Sequence, residues 1–188
     1  MLNITDLTEE ERRELQEIID NKSLKLGRFE LASGSISSFF FDMKKTTLDP
    51  RGSKLITKAI LGLVRRENVS YVGGPATGAI PIVSGLCLQS SPERPIFAFF
   101  VRRDESGRNP RIEGNVKAGE RVIIVDDVTT EGNSIMSAIK AVREINCRVE
   151  KAITIVDRLA NAEENLREMG VELIPIFTKD DFERIPKE

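Results

Sequence analysis

The clearest pattern in the chain is an uninterrupted β-branched run, Val122, Ile123, Ile124 and Val125, followed after a polar interval by Ile135, Ile139, Val142 and Ile145. The run predicts a parallel strand buried on both faces, and the spacing behind it predicts a helix with one apolar stripe. The same alternation recurs on either side. Thr8, with Glu11 three residues on, predicts a capped helix over about 8–21 with Leu15, Ile18 and Ile19 inward. Residues 28–31 and 37–43 read as an antiparallel hairpin around Ser33-Gly34-Ser35, separate from the strand–helix alternation of the rest of the chain. Asp49 and Pro50 open a helix whose apolar face is Leu55, Ile56, Ala59, Ile60, Leu63 and Val64. Then come a short strand at Tyr71-Val72, a helix over 80–88, and a strand over 96–101. Segment 102–114 has four arginines, two glycines, a proline and no apolar periodicity, and reads as a long loop. Past the central pair lie a strand over 149–156, a helix capped by Asn161 with Glu164 at its third position, a strand over 171–177, and a short helix capped by Thr178. Strands alternating with helices predict an α/β fold with a parallel sheet flanked by helices and ligands at the carboxyl ends of its strands.

Those strand ends hold the unusual residues. Asp126 and Asp127 are expected where the β-branched strand stops, and two adjacent carboxylates leaving a buried strand are costly unless something uses them. Val128, Thr129, Thr130, Glu131, Gly132, Asn133 and Ser134 then form a polar turn running into a helix. Backbone donors and the helix dipole converge there on one spot, which makes an anion cradle beside two acceptors suited to a diol. Gly73-Gly74-Pro75-Ala76-Thr77-Gly78-Ala79 lies at another strand end, where its glycines also suit a plain tight connection. Asp157-Arg158 ends a third strand, a place where a lone arginine is usually a solvated surface residue.

A short apolar strand, Asp126-Asp127, then Thr130-x-Gly132-x-Ser134 resembles the phosphoribosyl pyrophosphate (PRPP) motif of type I phosphoribosyltransferases. The resemblance implies that the two acids hold the ribose 2- and 3-hydroxyls, that the turn binds the 5-phosphate, and that Ala76, Thr77 and Gly78 bind pyrophosphate through backbone N–H groups. Phe29-x-Leu31-x-Ser33-Gly34-x-x-Ser37-x-Phe39-Phe40-Phe41-Asp42 is similar to the hood of orotate phosphoribosyltransferases, although phenylalanines alone could equally fill a core gap. In that family paired aromatics, here Phe40 and Phe41, place the pyrimidine with help from Thr130, and the arginine of an Asp-Arg pair, here Arg158, takes the orotate carboxylate. The resemblance runs from Leu24 to Phe177 over four separated motifs. It implies a type I phosphoribosyltransferase-like single domain over 1–188, with a small N-terminal hood drawn mainly from 24–45. It further implies transfer of phosphoribosyl from PRPP to orotate in pyrimidine synthesis, with Mg²⁺ held mainly through PRPP and water, in a homodimer with shared sites.

One segment departs from the family pattern. Orotate phosphoribosyltransferases usually carry a mobile loop with a second lysine and a histidine that close over the pyrophosphate, whereas here Arg102-Arg103-Asp104-Glu105-Ser106-Gly107 reaches Ile112-Glu113-Gly114 without either. Arg102 and Arg103 keep positive charge at the loop root and are the expected catalytic cations, with Arg108 and Arg111 beyond them. Arginine stays protonated and cannot serve as a general acid, and a merely solvated charged loop fits the same residues. Two other readings therefore stand beside the first: a PRPP-binding sensor without fast catalysis, and a phosphoribosyltransferase for another nucleobase.

Composition narrows the classes without changing this picture. The 188 residues are 40% hydrophobic and 31% charged with a net charge of −2, which gives no general attraction to nucleic acid or an anionic membrane. The absence of histidine excludes a histidine metal site, a histidine general base and a serine–histidine hydrolase. No apolar run reaches the roughly 18 residues needed to span a bilayer, and the acidic first 20 residues do not suit a leader. Cys87 and Cys147 lie among apolar neighbours and read as two buried thiols, in keeping with a reducing cytoplasm.

Overall fold

The computed structural model describes residues 5–30, 36–102 and 111–186. Thr8 caps α1 (Glu9–Ile18) in a capping box with Glu11, and a π turn (Ile19–Ser23) carries the chain into the hairpin β1 (Leu24–Glu30) and β2 (Ile36–Phe41). The strands pair antiparallel from Leu24↔Phe41 to Glu30↔Ile36, with a bulge between Leu26 and Phe29. The hairpin's tip, including Leu31, Ser33, Gly34 and Ser35, lies outside the described residues. A one-turn helix, α2 (Lys44–Thr47), leads to α3 (Pro50–Glu67), whose N-cap Asp49 accepts from the amides of Arg51 and Gly52 at 3.1 and 2.9 Å. Pro50 sits at the position where a missing N–H costs nothing.

The remaining strands are β3 (Tyr71–Pro75), β4 (Phe97–Arg102), β5 (Arg111–Gly114), β6 (Arg121–Thr129), β7 (Arg148–Asp157) and β8 (Glu172–Thr178). They form one six-stranded sheet in the order β5-β4-β3-β6-β7-β8. The helices are α4 (Ala79–Gln89), α5 (Asn133–Glu144) and α6 (Ala162–Glu168). Alternation along β6 divides the core. Ile123 and Val125 face the side covered by α1, α3 and α4 and join Leu15, Ile56 and Ile60 there, while Val122 and Ile124 face α5 and α6 with Ile139, Val142 and Leu166. That is why the strand reads as continuously apolar. Among the described residues no helix is long and apolar enough to cross a membrane.

Several expectations need correction. Residues 111–114 are not loop: β5 pairs antiparallel with β4, from Phe99↔Gly114 to Arg102↔Arg111, so the sheet is parallel except at this edge. An edge strand needs hydrogen bonds on one side only and carries little hydrophobic pattern. Asp126 and Asp127 lie within β6 rather than past it, because the ladder to β7 continues through Asp126↔Thr154 to Thr129↔Asp157. Asn161 stands at the start of α6 but in a left-handed conformation (φ 69°), and its side chain caps nothing. Cys87 is exposed, on the outward side of α4, and only Cys147 is buried.

Candidate active site

The strand order reverses at β3. The chain passes from β3 out to β4 and returns to β6 on the other side, which opens a crevice at the carboxyl ends of β3 and β6. A cleft of about 720 Å³ occupies it, and its walls include Phe40, Phe41, Lys44, Ala76, Thr77, Gly78, Asp126, Asp127, Arg158 and the stretch from the end of β6 at Val128 and Thr129 through Thr130, Glu131 and Gly132 to Asn133 and Ser134 at the start of α5. Residues expected from widely separated motifs thus meet in one place.

The acids are held by their own backbone. Asp126 Oδ1 accepts from the amide of Asp127 at 2.9 Å and Asp127 Oδ1 from that of Val128 at 2.8 Å, which fixes both carboxyls at the strand's end. Burial raises the Asp127 carboxyl above its ordinary value, opposed by the Val128 amide and by Asp126. Behind them Gly132 takes φ 81°, a left-handed conformation that a side chain would strain, and starts α5 with its carbonyl accepting from Met136 at 2.8 Å. The amides of the preceding turn stay outside the helical ladder, at the positive end of the helix dipole. Glu131 steadies the turn, accepting from Asn133 Nδ2 at 3.0 Å through its carboxylate and from Asn165 Nδ2 at 2.8 Å through its carbonyl.

The opposite wall comes from the hairpin. Strand alternation sends the rings of Phe39 and Phe41 into the core, where Phe41 meets Phe182 at 5.1 Å, and sends Phe40 to the other face against Phe29 at 5.7 Å. Any polar contact from Phe41 to a ligand must therefore come from its backbone. Arg158 bridges wall and sheet: its guanidinium lies over the Phe39 ring at 4.5 Å, and its Nη2 donates to Ser37 Oγ at 2.8 Å. Ser37 Oγ in turn donates to the Phe39 carbonyl at 2.8 Å. Arg158 Nε is buried with no hydrogen-bond partner among the described residues. A buried unpaired donor on a cation is costly, and a ligand acceptor would satisfy it.

The arginines at the loop root are placed differently. Arg102 does not line the cleft: it ends β4 and pairs with Glu113 across the β4–β5 edge at 2.5 Å. Arg103 and Arg108 lie outside the described residues. Two features of the site escape the sequence patterns. Lys44 lines the cleft from a one-turn helix, where a lysine pair has no local signature, and Ser37's contact with Arg158 joins positions 121 residues apart.

A family model described as the phosphoribosyl transferase domain matches residues 48–177. The orotate phosphoribosyltransferase of Rhodopseudomonas palustris (strain BisB5) is 38% identical over 178 residues, covering 91% of this chain and 95% of that protein. That of Methanocaldococcus jannaschii is 37% identical over 155 residues, covering 82% and 86%. Among solved structures, the orotate phosphoribosyltransferase of Mycobacterium tuberculosis H37Rv in complex with PRPP superposes with a TM-score of 0.76 at 29% identity, covering 96% of each chain. With a sheet-end cleft that joins paired acids to a helix N-terminus and a match over most of its length, the chain belongs to the phosphoribosyl transferase family.

Proposed function

We propose that the chain transfers the phosphoribosyl group of PRPP to orotate, giving orotidine 5-phosphate and pyrophosphate. The observation that carries this reading is the pairing, in one cleft, of the Asp126–Asp127 acceptors with the buried, incompletely bonded guanidinium of Arg158. In the proposed arrangement Asp126 and Asp127 accept from the ribose hydroxyls, and the stretch from Val128 to Ser134 holds the 5-phosphate. Ala76, Thr77 and Gly78 present backbone donors to the pyrophosphate. Phe40, the Phe41 backbone and Thr130 place the pyrimidine, and Arg158 takes its carboxylate, which a planar guanidinium suits. The C1–oxygen bond to pyrophosphate breaks, its electron pair leaving with the phosphate oxygen, as the C1–nitrogen bond to the base forms and the base's N–H proton passes to solvent. Side chains need only position the partners and stabilise charge.

Mg²⁺, when bound, would neutralise the pyrophosphate. In the proposed arrangement the ion would be held mainly through PRPP oxygens and water. A cytoplasmic homodimer completes the proposal, as the family resemblance implies. A purely monomeric species with full activity would count against the dimer.

The deciding experiment incubates the protein with PRPP, Mg²⁺ and a panel of bases and follows pyrophosphate release. Release with orotate alone is expected. Release only with another base would change the substrate, and tight PRPP binding without release would make the protein a sensor.

The geometry carries two more expected outcomes. Ser37→Ala should raise KM for orotate about ten- to a hundredfold, the roughly 1.5–3 kcal/mol of one hydrogen bond to a charged group, and leave KM for PRPP unchanged, with Ser37→Thr restoring the value. Because burial raises the Asp127 carboxyl, kcat/KM for PRPP should fall on an acid limb above the ordinary aspartate range, about tenfold per pH unit. Asp127→Asn should remove that limb.

A further inference from the structure

The charge lining the cleft is unbalanced for the ligand proposed above. Asp126, Asp127 and Glu131 are its acids, and among the described residues that line it only Lys44 and Arg158 are cations. Arg158 is already engaged with Ser37 and the Phe39 ring at the hairpin wall. Ala76, Thr77 and Gly78 carry no charged side chain, and Arg102 is turned to Glu113. A departing pyrophosphate accumulates negative charge, and a cleft whose side chains sum to a negative value would repel it.

Lys44 sits where that charge could be met. It begins α2, between the hairpin and α3, and lines the cleft together with Ala76, Gly78 and Asp127. Its Nζ lies 3.0 Å from Asp42 Oδ1, and the side chain remains 56% exposed, so the ammonium is tethered without being buried. A pair whose ammonium end lies in solvent exchanges partners at a modest cost. Asp42 would keep one cation after the exchange, Lys25 Nζ at 3.7 Å from its other oxygen, while its buried Oδ1, which has no hydrogen bond among the described residues, would give up only the ion pair. The Lys44 charge also pulls the Asp127 carboxyl down against the effect of burial, so it acts within the site.

We propose that Lys44 is a pyrophosphate-binding residue whose ammonium turns from Asp42 to the diphosphate of the donor and of the product, supplying in cis the cation that the Ala76–Gly78 loop lacks. This inference rests on the phosphoribosyl-transfer reading and deepens it. A lysine suits the task, since a compact ammonium on a flexible stem can follow a group that moves as its bond breaks.

The test compares two probes on Lys44→Met and Lys44→Arg: inorganic pyrophosphate with Mg²⁺, and ribose 5-phosphate, each by titration calorimetry on the full chain. Lys44→Met should weaken pyrophosphate about tenfold or more and leave ribose 5-phosphate within twofold, with Lys44→Arg keeping most of the affinity. Unchanged pyrophosphate affinity in Lys44→Met overturns the proposal, as does an equal loss of both probes, which would mark a general effect on the fold. If the unaltered protein binds neither probe and releases no pyrophosphate with any base, the phosphoribosyl reading itself fails. An active unaltered protein with an indifferent Lys44→Met removes Lys44 alone.

Discussion

Replacing both cleft acids, Asp126→Asn with Asp127→Asn, is expected to lower kcat/KM by about 10²- to 10⁴-fold. That is the loss of two charge-assisted hydrogen bonds to the ribose, each worth roughly 1.5–3 kcal/mol. An asparagine keeps the shape, and its carbonyl oxygen can still accept from the amides of Asp127 and Val128 that now meet the carboxylates at 2.9 and 2.8 Å. The change therefore removes charge more than structure. Stability should move the other way. Burial raises the Asp127 carboxyl, so the protonated form is the one the fold favours; its stabilising contribution is complete below the ordinary aspartate range and is lost as pH rises through the raised value. Above that raised value the ionised carboxylate is thus a burden on the unliganded fold. Asp127→Asn alone should raise Tm at pH 7 by about 2–4 °C for each kcal/mol relieved, with the gain disappearing in acid. A double variant that turns over at the unaltered rate would sink the ribose assignment. A single variant that melts lower at pH 7 would show that the charge is already compensated in the free protein.

The acids were legible in the sequence because their signal is local. A buried strand, two carboxylates and a Thr-x-Gly-x-Ser turn are contiguous, and the capping pair Thr8–Glu11 and the Asp49-Pro50 start of α3 are local in the same sense. What was not legible depends on partners far along the chain. Nothing in Arg111-Ile112-Glu113-Gly114 marks a strand until β4 offers it an edge. Strand β6 continues through Asp126 and Asp127 because β7 supplies the ladder there, although charged residues suggest an end. Cys87 has apolar neighbours yet faces out, since α4 is apolar around much of its circumference and periodicity along it is weak. Lys44 and Ser37 acquire meaning only once the hairpin closes over the sheet.

The second large effect concerns a residue with no side chain at all. A Cβ at Gly78 would lie 2.4 Å from Asp127 Oδ1, 2.6 Å from its Cγ and 2.8 Å from Oδ2, all closer than real side chains come. The carboxyl has no easy retreat, because Oδ1 is bonded to the Val128 amide and Asp126 stands directly before it in the strand. Gly78→Ala must therefore push either the β3–α4 loop or Asp127 out of place, and in the proposed arrangement these hold the pyrophosphate and the ribose. A displacement near 1 Å between groups that share one ligand can cost about 10²-fold, so kcat/KM should fall by at least that much. Because the loop lies at the cleft's surface, the loss should appear with Tm lowered by only a few degrees, roughly 1–2 kcal/mol. Calorimetric titration with pyrophosphate and ribose 5-phosphate then separates the two displacements. Weakened pyrophosphate alone marks a moved loop, and weakened ribose 5-phosphate marks a moved carboxylate. Activity within threefold of the unaltered protein would mean that the close approach of Gly78 to Asp127 plays no part in the reaction.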